Sequence, residues 1–147
     1  MIKYLLALLI IFFFYFSSLL LFPLDFEFYH ALSPAFSALN NICFHLLWLP
    51  TFIFTTYSIF KIIKDYYPNQ KYLSALVINY FFYQVFCLFY FWFNNFIFSF
   101  FSLIAAFVTG LLLYQESSKF TKKAAYYLLP YLGWLGFLSL LIIYHLV

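Results

Sequence analysis

The stretch AAYYLLPYLGWLGFLSLLIIYHLV, Ala124 to Val147, decides the fold. It is almost entirely apolar and long enough to cross a hydrocarbon core of about 30 Å as one helix. A plain anchor needs only leucine, yet this stretch also holds Pro130, the small residues Gly133 and Gly136, and Trp134, one of three tryptophans in the chain. Tyr127, Tyr131 and Trp134 recur at helical spacing, which predicts one face of large rings with polar tips. That face needs something to pack against, and four further apolar runs supply it.

The first run, Met1 to Leu21 behind Lys3, exceeds the ~7–15-residue core of a signal peptide and meets no small-x-small cleavage site, so it reads as a retained helix ending at Phe22-Pro23. The second covers Ile42 to Ile63, with a kink expected at Pro50. The third covers Tyr72 to Phe93 and the fourth Phe96 to Tyr114. Between them, Lys64–Lys71 and Asn94–Asn95 are turns and Gln115–Lys123 (QESSKFTKK) is a polar loop. The longest interruption is Pro23–Asn41, PLDFEFYHALSPAFSALNN. Its Phe26, Phe28, Tyr29, Leu32 and Phe36 predict a loop lying on the protein or in the headgroup layer. No internal repeat is visible, which argues against an inverted-repeat transporter.

Composition agrees with this map. The chain of 147 residues is 68% hydrophobic and only 7% charged, which excludes both a soluble domain and disorder. One domain, residues 1–147, accommodates all five runs. The seven basic residues are all lysines at run edges, with no arginine to fork onto phosphate or guanine, so nucleic acid is not a partner. With the N-terminus in the cytoplasm, Lys3, then Lys61, Lys64 and Lys71, then Lys119, Lys122 and Lys123 all fall inside, while Asp25 and Glu27 fall outside. The expected fold is an all-α membrane protein: a bundle of five transmembrane helices, N-terminus cytoplasmic, long first loop outside.

Much chemistry is missing from these runs. Asp25, Glu27, Asp65 and Glu116 all lie in loops, so no span carries a proton relay or a buried acid/base pair. His30, His45 and His145 are too dispersed for a metal cluster. His45 reads as a histidine hydrogen-bonded between helices in preference to a haem ligand. Cys43 and Cys87 read as reduced packing residues. We therefore assign no catalytic residue and no metal ligand. What the sequence does offer is an aromatic interior. Trp48 and Phe52 share one helical face, while Asn79 and Gln84 are amides that hydrocarbon forces towards other helices or a ligand. Two readings stand open at this point, a ligand pocket and plain aromatic packing. Trp92, beside the Asn94 turn, reads as an interface anchor. Ala105, Ala106 and Gly110 permit close helix contact.

The order of these features resembles the TspO/MBR family, the tryptophan-rich sensory proteins related to the translocator protein. The resemblance rests on FPLDFEFYHAL (Phe22–Leu32), Trp48, NYFFYQ (Asn79–Gln84) and LLPYLGWLGF (Leu128–Phe137). The last is similar to the family's Leu-x-Pro-Tyr-x-x-Trp-x-x-Phe signature and is the most specific. In the first loop Phe36 stands where the family usually has a tryptophan, and Tyr83 stands where an asparagine is frequent. The resemblance implies no obligatory cofactor but a porphyrin or haem as ligand, or another hydrophobic small molecule, held by Tyr29, Trp48, Phe52, Asn79, Gln84, Trp134 and Phe137. It further implies light-dependent porphyrin degradation in some bacterial members, a homodimer, and residence as a multi-pass protein in a bacterial cell membrane. A small permease subunit for a hydrophobic metabolite and a ligand-free structural subunit are the alternative functions.

Overall fold

The computed structural model describes residues 2–22 and 48–146, which form helices and the short turns between them. Helix α1 spans Ile2–Leu21 and α2 spans Leu49–Asp65. Helix α3, Gln70–Cys87, runs on as a π-helical turn over Leu88–Trp92, and α4 spans Phe96–Phe120. The short α5, Lys122–Tyr126, precedes α6, Leu129–Leu146. No strand occurs among the described residues. Among the described residues three stretches, Gln70–Trp92, Phe96–Phe120 and Lys122–Tyr144, are long and apolar enough to cross a membrane.

Local chemistry sets the helix ends. The Asn69 side chain accepts a hydrogen bond from the Tyr72 backbone N–H at 2.9 Å, and Asn95 does the same for Phe98 at 3.1 Å. Both satisfy donors that a helix start leaves unpaired. Asn94 takes φ = 49°, the left-handed conformation that asparagine tolerates better than most residues. Pro50 occupies the first turn of α2, where proline is best tolerated. Pro130 interrupts the expected final helix. Its ring cannot follow an intact turn at Tyr126, and α5 closes there with Tyr127 and Leu128 bonding back three residues to Ala124 and Ala125.

One expectation fails. Gln115–Phe120 is not a loop but the last turns of α4. Ser117 and Ser118 donate to the carbonyls of Leu113 and Gln115, and Lys119 pairs with Glu116 one turn away. Those side chains satisfy the helix locally, so polarity here does not end the helix.

Helix α3 packs most extensively on α4, and α4 on α6, with α1 laid against α2. Large apolar side chains also point outward, among them Leu5, Phe13, Phe101 and Leu140. A surface of that kind suits lipid, where it costs nothing to expose. The lysine-bearing helix ends gather at one pole: Lys64 lies over the Tyr4 ring at 4.8 Å, and Tyr66 and Tyr72 both contact Phe120. Phe22 meets the exposed Trp92 at the opposite pole.

The small residues of α4 are spent inside this bundle. Ala106 and Gly110 are buried, and a Cβ added at Gly110 would stand 2.8 Å from Leu132 Cδ2 and 3.4 Å from Asn79 Nδ2. Their close contact is therefore with α3 and α6 of the same chain. Gly110→Val is expected to lower stability by about 1–3 kcal/mol, since a branched side chain must displace Leu132. Thermal unfolding in detergent measures it, and an unchanged midpoint would mean that Leu132 swings aside freely.

Candidate functional site: an apolar cavity between two helices

Helices α2 and α6 run antiparallel. Ser58 donates to the Ala124 carbonyl at 2.8 Å, and Phe54 and Tyr57 meet the Tyr127 ring. Further along the same pair, towards Trp48, the two helices part around an outward-open cavity of about 390 Å³, with Pro50, Pro130 and Gly133 exposed at its mouth. Pro50 and Thr51 form one wall; Pro130, Gly133, Trp134 and Phe137 form the other. The α6 residues follow the i, i+3, i+4, i+7 pattern of a single helix face. Trp134 stacks on Phe137 with ring centroids 5.7 Å apart, giving that wall a flat aromatic patch. The one hydroxyl on the other wall, Thr51 Oγ1, is turned back onto the Trp48 carbonyl at 2.6 Å. The cavity is accordingly greasy, and its volume falls within the ~300–1,000 Å³ typical of small-molecule sites.

The centre of the bundle, by contrast, is filled. Tyr15, Phe52, Tyr83 and Tyr131 arrive from four helices and meet ring to ring at 5.9–6.4 Å. Trp48 packs onto them, stacked on Phe91 at 5.8 Å, and its indole N–H donates to Tyr83 Oη at 2.7 Å. The π-helical turn places Tyr90 and Phe91 inward while leaving Trp92 outside. Asn79 is wholly buried and ties three helices. Its Nδ2 donates to the Ala106 carbonyl at 2.8 Å and to Thr109 at 3.2 Å, while its Oδ1 accepts from Tyr131 Oη at 3.1 Å.

The TspO/MBR family model matches residues 4–146, essentially the whole chain. The chain belongs to the TspO/MBR family. None of the curated proteins compared with it matches. Membership makes this a membrane protein, in keeping with its three long apolar helices.

In this TspO/MBR chain the residues singled out from sequence divide into separate places. Trp134 and Phe137 line the cavity. Trp48 and Phe52 are buried in the aromatic core, and Asn79 joins α3 to α4 and α6. Gln84 lies half-buried on the α1 side of α3, with its Nε2 3.5 Å from Ser17 Oγ and no hydrogen bond to its Oε1. Tyr29 lies outside the described residues, as do His30, His45 and Cys43. The predicted ring face of the last helix is also divided, because Tyr131 enters the core while Tyr127 packs on α2.

Sequence reasoning missed four lining residues: Pro50, Thr51, Pro130 and Gly133. Pro50 registered only as a kink. A signal for the α6 wall was nonetheless present. Pro130, Gly133, Trp134 and Phe137 share one helical face, with the two that carry least side chain followed by two flat rings.

Proposed function

We propose that this protein binds a flat hydrophobic tetrapyrrole, a porphyrin or haem, against the Trp134–Phe137 patch of the α2/α6 cavity, and serves in tetrapyrrole handling or stress signalling. The observation that carries this reading is the stacked pair itself, set in an apolar recess where a planar ring system gains contact with indole without uncovering any polar group. Family membership supports it independently. Pro50, Pro130 and Gly133 are exposed, so the recess is open on one side and part of a macrocycle would extend beyond it. We further propose five spans with the lysine-bearing pole in the cytoplasm of a bacterial cell, which the gathering of those helix ends supports.

Titration of the detergent-solubilised protein with protoporphyrin IX, followed by the porphyrin absorption band, tests the site. Saturation at one equivalent is expected. Trp134→Leu should weaken binding about tenfold, the factor that loss of one good aromatic contact makes. Trp92→Leu, at an exposed residue that lines no part of the cavity, should leave it unchanged. Equal affinities in both variants, or uptake that never saturates, would sink the proposal.

A further inference from the structure

The chain has three glycines, all in helices, and their surroundings differ. Gly110 is demanded by the fold, because a Cβ there would collide with Leu132. Gly136 would meet only Phe107 Cε2, at an ordinary 3.9 Å. At Gly133 a Cβ meets no atom of the described residues within 4 Å. No glycine has positive φ either, so backbone conformation does not require glycine at this position. A glycine inside a helix costs about 0.5–1 kcal/mol relative to alanine. Packing among the described residues gives no return for that cost at 133, and neither does a turn. Gly133 is exposed, and the open space its missing side chain leaves belongs to the outward-open recess between Pro50 and Trp134.

We infer that Gly133 is the specificity-determining residue of the α2/α6 cavity: its bare backbone lets a rigid, flat apolar ligand lie directly against α6 beside Trp134, and the size of the residue at 133 sets the ligand it admits. The inference rests on the proposed function for the identity of the ligand. It adds a residue that touches the ligand through backbone alone. A Cβ here would displace no atom of the described residues; it would stand in the ligand's place.

The test is the series Gly133→Ala and Gly133→Leu, with Gly136→Ala as the control, each measured for thermal midpoint and for protoporphyrin IX affinity. The midpoint of Gly133→Ala is expected to stay level or rise. Its affinity should fall about tenfold, and that of Gly133→Leu about a hundredfold, the range that surplus methylenes cause in a fitted apolar pocket. Gly136→Ala should bind as the parent does. Parent-like affinity across the series, with the parent binding porphyrin, overturns the role of Gly133 and leaves the proposed function standing. A fall in midpoint for Gly133→Ala overturns it too, since the glycine would then serve the fold. Absence of binding by the parent protein overturns both.

Discussion

Trp48→Ala is expected to be the most damaging single substitution in the bundle, lowering stability by about 3 kcal/mol. Removing a buried tryptophan from a core costs about 3–5 kcal/mol, made of lost transfer energy and an unfilled cavity. In a membrane the transfer part shrinks, because lipid receives an indole almost as well as the protein interior does. The packing part remains in full. Trp48 is only 2% exposed, lies 5.5 Å from Phe52 and 5.8 Å from Phe91, and holds Tyr83 Oη through its N–H. Trp48→Phe should restore most of the packing and leave a deficit of about 1 kcal/mol, the value of the missing hydrogen bond. Unfolding in detergent measures both, with Trp92→Ala as the reference, since Trp92 is 60% exposed. If Trp48→Ala melts alongside Trp92→Ala, the aromatic core is not what holds α2 to α3.

Asn79→Ala should cost about 2 kcal/mol and should do so through Tyr131. Without the amide oxygen the phenol is left buried with no acceptor, a penalty of about 1–3 kcal/mol. Ala106 and Thr109 lose less. The Ala106 carbonyl keeps the Thr109 hydroxyl at 3.1 Å, and that hydroxyl also reaches the Ala105 carbonyl. Tyr131→Phe alone should therefore be milder than Asn79→Ala. In a double-mutant cycle the pair should couple by about 1 kcal/mol, near the upper range for polar pairs within membranes. Additive losses would show that Asn79 and Tyr131 act apart. Porphyrin affinity offers a second check: neither side chain lines the α2/α6 cavity, so both variants should retain it once folded.

The contrast between Trp48 and Trp134 shows how far residue spacing reaches. Both indoles sit on apolar helices and both are turned inward, at 2% and 3% exposure. Nothing in their neighbouring residues separates them. Trp48 meets Tyr83 and Phe91 across the bundle, whereas Trp134 stacks on Phe137 of its own helix and borders the recess beside Pro50. Which of these an indole meets depends on what α2 and α3 present at that height, and no local pattern encodes it. Gln115–Phe120 is the converse case. Its polar letters were legible, but they did not end the helix, which continued on its own side-chain bonds.

From sequence alone came the apolar runs, their punctuation by asparagine and proline, the lysine pattern and the signature Leu128–Phe137. These follow from the cost of placing charge and unpaired backbone in hydrocarbon, a rule that acts residue by residue. The tertiary structure alone decided which polar groups lock helices together and where a recess opens between α2 and α6. With rings on almost every face, packing partners are chosen by how whole helices settle against one another. Asn79 became a three-helix tie and Gly133 an open wall because of where α4, α6 and α2 came to rest.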